Sequence, residues 1–243
     1  MHFRIKLADR IIGITSIHDE VYKLCEGYYA DGIEDFHVGV TQGNIDFERG
    51  KSIREAVTEG IPVYDYSDPY LETLAVYRKI VSRMLEFDTY LMHGAVVSVG
   101  DEAFLFTAQS GVGKTTHLRL WLENIPDAYV INGDKPLLWC HEGRFNVCGT
   151  PWAGKEGMQK NVVVPLKGVC LLERGEVNSI ERVDFKDCYP VLLQQSYRPA
   201  EPEAMQKTLE LISELGKNVS LYRLKCTMDP EAAWVAYKGM ADG

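Results

Sequence analysis

Residues 103–121, AFLFTAQSGVGKTTHLRLW, constrain this chain more than any other stretch. The run Ala103 to Phe106 reads as a buried strand, and HLRLW as part of an amphipathic helix. Between them, Ala108-Gln109-Ser110-Gly111-Val112-Gly113-Lys114-Thr115 has the spacing of a Walker A phosphate loop, with Ala in place of the first Gly. The glycines let consecutive backbone N–H groups turn toward one anion, and the helix that begins near Lys114 adds its dipole there. Lys114 supplies a mobile cation for the β and γ oxygens, and the Thr115 hydroxyl is placed to ligate Mg²⁺. The expected nucleotide-binding set is therefore Ser110, Gly111, Val112, Gly113, Lys114, Thr115 and Thr116, with ATP and Mg²⁺ as its ligands. A glycine-rich turn with a chance lysine is the competing account, and the strand before and helix after weigh against it. His117 reads as a helix-packing or surface residue.

A phosphate loop needs an acid on a neighbouring strand. The segment YVINGD ends in Asn132-Gly133-Asp134, and the carboxyl ends of strands are where α/β folds place ligand contacts. Asp134 is the candidate for holding Mg²⁺ through water, or for orienting an acceptor hydroxyl as a general base. A turn aspartate after Gly133 is the plainer alternative. A second cluster, GTPWAGKEGMQKN at 149–161, reads as a mobile glycine loop whose Lys155 or Lys160 can reach a transferred phosphoryl group or an anionic acceptor. Lys155 is preferred because small residues flank it. Arg198 is a further clamp candidate, more simply read as a surface ion pair.

At 243 residues the chain can bury one main core with a smaller satellite domain. The expected division is a small α+β, β-rich N-terminal domain over 1–68 and a P-loop α/β domain over 69–243. FRIKLADRIIGITS and DFHVGVT supply the strands of the first. Asp68-Pro69 opens a helix that runs to about Phe87. YLMHGAVVSVG and EAFLFTA form a hairpin about Gly100-Asp101, KPLLW and RFNVCG are split by Glu142-Gly143, and LKGVCLLER is another strand. Helices are expected over Asp187 to Ser196, over Glu203 to Leu215 with Gly216 as the stop, and after Asp229-Pro230, with VSLYRLKC as a strand between the last two.

The net charge of −9 excludes a general nucleic-acid or anionic-membrane binder. The six cysteines include no C-x-x-C pair and read as free thiols. No apolar stretch is long enough to span a bilayer and no secretory leader is legible, so a cytoplasmic location is expected.

With His93, the loop and Asp134 in view, residues 92–138 resemble the kinase domain of HPr kinase/phosphorylase and, more broadly, HPr kinase-related proteins and the P-loop core of phosphoenolpyruvate carboxykinases. MHGAVVSVGDEAFLFTAQSGVGKTTHLRLW looks like that family's Met-His-Gly strand, hairpin and phosphate loop. The resemblance implies that His93 sits beside the phosphates in the catalytic site, that Lys114 and Thr115 bind phosphate and metal, and that Asp134 lies in the family's acidic strand-end motif. That family usually carries two adjacent aspartates there. Gly133-Asp134 leaves one acid to do the work of two, or another such as Glu156 to assist. The resemblance also implies a homo-oligomer.

The function expected is a Mg²⁺-dependent kinase that phosphorylates a hydroxyl, either the serine of a small protein or peptide or a small metabolite, with the N-terminal domain helping to choose it. A non-catalytic nucleotide-binding regulator or scaffold is the alternative. A phosphoenolpyruvate carboxykinase-like enzyme is the weaker one, because such chains are much longer.

Overall fold

The computed structural model describes residues 1–109 and 111–241. The chain divides into two compact units, Met1–Arg83 and Met84–Gly243. In the first, β1 (His2–Leu7) and β2 (Arg10–Thr15) pair antiparallel through Ala8 and Asp9, both at positive φ, the geometry a right-handed twisted hairpin favours. A short helix α1 (Glu20–Leu24) precedes β3 (Phe36–Gly39), which adds in parallel to β2. Then come two long helices, α2 (Gln42–Glu59) and α3 (Asp68–Met84). The unit is thus less strand-rich than its sequence suggests. Of α2's 18 residues only Ile45, Glu48 and Ala56 are buried, so no apolar stripe advertises the helix.

Helix α3 belongs with this first unit, where the sequence alone had it open the second. The fully buried Glu72 carboxylate accepts hydrogen bonds from Ile17 N at 2.5 Å and His18 N at 2.8 Å. Arg78 pairs with the buried Glu48 of α2, and Lys79 Nζ donates to Gly39 O at 2.6 Å. A buried carboxylate left without such donors would be costly, so these bonds fix where α3 sits.

The second unit opens with a 3₁₀ turn (Leu85–Phe87) and then runs β4 (Thr89–Leu91), β5 (Ala95–Val99), β6 (Glu102–Thr107), α4 (Lys114–Asn124), β7 (Tyr129–Asn132), β8 (Leu137–His141), β9 (Arg144–Cys148), β10 (Val163–Arg174), β11 (Ser179–Arg182), α5 (Phe185–Gln195), α6 (Pro202–Asn218), β12 (Ser220–Cys226) and α7 (Glu231–Ala241). It is a mixed α/β architecture. The strands lie in the order β4-β8-β9-β10-β6-β5-β7, with β12 joining β10 and β11 joining β12. Strand β10 is the spine: it runs parallel to β6 and β12 and antiparallel to β9.

Both faces of this sheet are covered, and the strands show it by alternation. Leu105, Val169 and Leu171 face one cluster with Leu192 of α5 and Leu211, Ile212 and Leu215 of α6. Phe104, Phe106, Cys170 and Leu172 face the other with Leu118 and Trp121 of α4 and Ala232, Ala236 and Met240 of α7. Each fully buried Phe contributes roughly 2–3 kcal/mol of transfer free energy. All six cysteines are free thiols. Among the described residues no helix is long and apolar enough to cross a membrane.

Gly216 does not stop α6, which continues to Asn218. A Cβ at Gly216 would lie 2.2 Å from Phe185 Cδ2, so the glycine is there to let α5 approach α6.

Candidate functional site

Three stretches reach one end of the sheet for a topological reason. Strand β5 runs antiparallel to both β6 and β7, with Ala95 opposite Phe106 and Val96 opposite Asn132. The start of β5 therefore lies beside the ends of β6 and β7. His93-Gly94, the loop after Thr107 and the turn after Asn132 meet there. Backbone bonds close the meeting: Gly94 N donates to Asp134 O at 3.0 Å, and Thr107 Oγ1 donates to His93 O at 2.8 Å.

Within this cluster His93 Nε2 lies 2.9 Å from Asp134 Oδ1, while His93 Nδ1 faces Gln195 Oε1, also at 2.9 Å. The peptide N–H of His93 donates to Gln195 O at 2.7 Å, so the end of α5 holds the histidine by ring and backbone together. Burial by itself would raise the Asp134 pKa. The His93 hydrogen bond and the charges of Lys135, His93 and Lys114 outweigh it and hold the carboxyl below its ordinary value. Lys114 shows the converse: burial lowers its pKa and the charge of Asp134 opposes that. Each thus feels the other's charge.

Asp134 is aimed by a buried neighbour. Asn132 is fully buried, and its Oδ1 accepts from the N–H groups of Asp134 at 2.9 Å and Lys135 at 2.7 Å, an Asx turn. Its Nδ2 donates to Thr150 O at 2.9 Å and Thr150 Oγ1 at 3.0 Å, and that hydroxyl donates to Lys135 O at 2.9 Å. All polar atoms of the Asn132 side chain are thereby satisfied without water.

The 149–161 segment covers this turn and is pinned along its return limb: Gly133 N donates to Met158 O and Lys160 N to Ile131 O, each at 3.0 Å. Gly154, at φ +75°, packs so closely that a Cβ there would lie 3.0 Å from Asp134 Cβ. Gly133 has the same character, since its Cβ would meet Ala153 O at 3.2 Å. The covering segment thus crowds the position where a second acid would stand. Glu156 does not assist Asp134; it pairs with Arg119 of α4 at 2.7 Å. Lys155 is exposed on the cover with no partner among the described residues, and the Lys160 ammonium lies over the Tyr129 ring at 4.2 Å. Arg198 is exposed and makes no ion pair among the described residues.

Along the glycine loop, Gly111 and Gly113 adopt φ +78° and +126°, conformations that favour glycine. No side chain caps α4 at Gly113. Lys114 Nζ folds back to donate to Ala108 O at 3.1 Å. Arg174, at the end of β10, donates from Nη2 to Gly111 O at 2.7 Å. Val112 and Thr115 are half-buried and Thr116 is exposed, with no hydrogen bond joining either threonine to Asp134 among the described residues; Ser110 lies outside them. His117 is a packing residue. Its Nε2 accepts from Trp121 Nε1–H at 3.0 Å, its ring meets Phe106 edge-on, and burial pushes its pKa down to about 4. Beside the loop lies a cleft of about 530 Å³, lined by Gly111, Thr116, His117, Leu120, Arg174 and Thr227 among others. His93 and Asp134 do not line it.

The sequence pointed to Asp134 and His93 but not to Gln195, Asn132, Thr150 or Arg174. The Asn-Gly-Asp triplet at a strand end is itself an Asx-turn signal, whereas Gln195 and Arg174 arrive from distant elements and leave no local trace.

No protein-family model matches the chain, and no curated protein does. Among solved structures, the HPr(Ser) kinase/phosphatase from Coxiella burnetii aligns over 63% of this chain and 99% of its own, at 7% identity and a TM-score of 0.38. At that level of superposition the likeness transfers neither a fold name nor a function to this chain.

Proposed function

We propose that the second unit binds ATP with Mg²⁺ at the 109–116 loop and transfers the terminal phosphoryl group to a hydroxyl acceptor. The acceptor class is the serine of a small protein or peptide, or a small metabolite. The observation that carries this is the His93–Asp134 pair, standing within electrostatic reach of Lys114 at the sheet end where the glycine loop leaves β6. An uncapped helix start and a half-buried lysine suit a phosphate chain, and the neighbouring cleft has the volume of a small-ligand pocket, enough for a nucleoside.

The Thr115 hydroxyl and the Asp134 carboxylate are hard oxygen donors of the kind Mg²⁺ takes, and they would hold it. When bound, the cation neutralises charge on the phosphates. His93 occupies Asp134 Oδ1, which leaves Oδ2, in a loose 3.9 Å ion pair with Lys135 Nζ, as the oxygen that would face a ligand. With Oδ1 held by His93, Asp134 is assigned to ligand positioning rather than to proton removal. Phosphoryl transfer tolerates that, since its catalysis rests on positioning and charge. Lys155, exposed on the covering segment, is assigned to the acceptor side.

A second reading, nucleotide binding without transfer, is favoured by one observation, the crowding at Gly133 that disfavours a second acid. Calorimetric binding of Mg²⁺-ATP and phosphate release by the purified chain separate the two. Lys114→Ala is expected to weaken binding at least tenfold, and Asp134→Asn to leave binding within a few-fold while turnover falls roughly 100-fold. Binding with no product across acceptors selects the second reading. No binding at all sinks both.

A further inference from the structure

The outer face of the first unit's sheet carries a cluster that the nucleotide site does not use. His2 stands on β1, Thr15 beside it on β2, and His37 on β3, while Glu34 enters just before β3. The Glu34 carboxylate lies flat over Gly13, where any Cβ would fall 2.0 Å from Oε2. Glycine at 13 therefore makes the space that this carboxylate fills.

The contacts form a closed set. His2 Nε2 is 3.5 Å from Glu34 Oε1, and His37 Nδ1 is 3.1 Å from Glu34 Oε2. The other nitrogen of each ring faces the same hydroxyl: His2 Nδ1 lies 3.4 Å and His37 Nε2 3.1 Å from Thr15 Oγ1. Arg4 Nε donates to Glu34 Oε1 at 3.0 Å. The ligand atoms of His2, Glu34 and His37 all lie within 4.8 Å of one another.

A hydroxyl has one proton to give. It can serve only one of the two rings, so at least one ring donates its N–H to Thr15. In the neutral form of that ring a lone pair faces Glu34, an arrangement that either a proton or a metal cation between the two relieves. We propose that His2, His37 and Glu34 form a binding site for a divalent cation of the zinc class. Thr15 Oγ1 has two lone pairs and can accept from both rings, which leaves His2 Nε2 and His37 Nδ1 as the lone-pair donors, and a fourth position is left open to solvent.

The spacing fits. Around a tetrahedral zinc with bonds of about 2.0–2.1 Å, neighbouring ligand atoms stand roughly 3.3 Å apart, close to the 3.1 Å from His37 Nδ1 to Glu34 Oε2, and the His2 ligand atom lies within 4.8 Å of both. Two imidazoles and a carboxylate are a donor set that zinc accepts, and the Thr15 contacts are the outer hydrogen bonds that ligating histidines almost always make. Arg4 holds the distal carboxylate oxygen and leaves Oε2 to the cation. Its charge limits the affinity without blocking the site.

The test is equilibrium dialysis of the full, tag-free chain against Zn²⁺, with Co²⁺ absorption to report the ligand type. One Zn²⁺ per chain is expected. His37→Ala and Glu34→Gln should each weaken it at least 30-fold, and Thr15→Val about 10-fold, the size of an outer-contact effect. Far-UV circular dichroism should be unchanged, because His37 and Thr15 are exposed and Glu34→Gln keeps the shape of the side chain. The Co²⁺ spectrum should show ligand-field bands without thiolate charge transfer, which separates this site from the six cysteines. Zn²⁺ binding that survives His37→Ala, a thiolate band, or no stoichiometric binding would leave only an ion-paired histidine cluster and overturn the proposal.

Discussion

Replacing Asn132 by alanine should cost the second unit about 4 kcal/mol. The figure follows from four hydrogen bonds on one fully buried side chain, at about 1 kcal/mol net each. Thr150→Val keeps the shape and removes two bonds, one of them shared with Asn132, so it should cost about 2 kcal/mol. Because of the shared bond the double variant should cost about 5 kcal/mol rather than the sum, a coupling near 1 kcal/mol. The assay is urea denaturation followed by tryptophan fluorescence. All four tryptophans, Trp121, Trp139, Trp152 and Trp234, lie in the second unit, so the signal reports on it alone. With an m value of about 2 kcal/mol/M, the Asn132→Ala midpoint should fall by about 2 M. A fall under about 0.5 M, or strict additivity of the two variants, would show that the turn presenting Asp134 is held by something other than this pair.

Stability should also fall in acid through His117. Its folded pKa of about 4 lies below the ordinary 6.5, so the unfolded chain binds more protons between those values. Stability is then full above about pH 6.5 and drops by roughly 3 kcal/mol as the pH approaches 4; His117→Phe should flatten that part of the urea-midpoint profile. Gly216→Ala, although it raises helix propensity, should cost about 1–3 kcal/mol in thermal or urea melts because the new Cβ strikes Phe185. Gly133→Asp, which adds a second acid, should lower rather than raise any turnover, since the side chain must push Ala153 and the covering segment away from Asp134; faster turnover would refute the crowding argument.

What the sequence disclosed and what it withheld divide along physical lines. The buried strands β5, β6 and β10 and the helix after the loop are legible because continuous apolar runs and punctuation by Gly100 and Gly113 are local signals. Helix α2 was hidden because its face is mostly polar, and Gly216 misled because a glycine that admits a neighbouring ring looks in sequence like one that ends a helix. His93 and Asp134 were marked as candidates, and the structure sets them 2.9 Å apart, a pairing the sequence did not disclose. Their support by Gln195 and Thr150 was illegible, since each enters through tertiary contact from far along the chain. The His2, Glu34 and His37 cluster was invisible for the same reason: strand register brings it together, and no spacing rule anticipates register.

The central place of β10 bears on how the second unit is made. The glycine loop, His93 and Asp134 all lie upstream of it, yet β6 can pair only with β5 until residues 166–171 are available. A nascent or partly unfolded chain therefore presents Phe104 to Phe106 along an open strand edge, an apolar template for another chain. Aggregation during refolding should accordingly follow the delay before β10 inserts, and the loss of Leu171 or Val169 should reduce the yield of native protein more than its final stability would suggest.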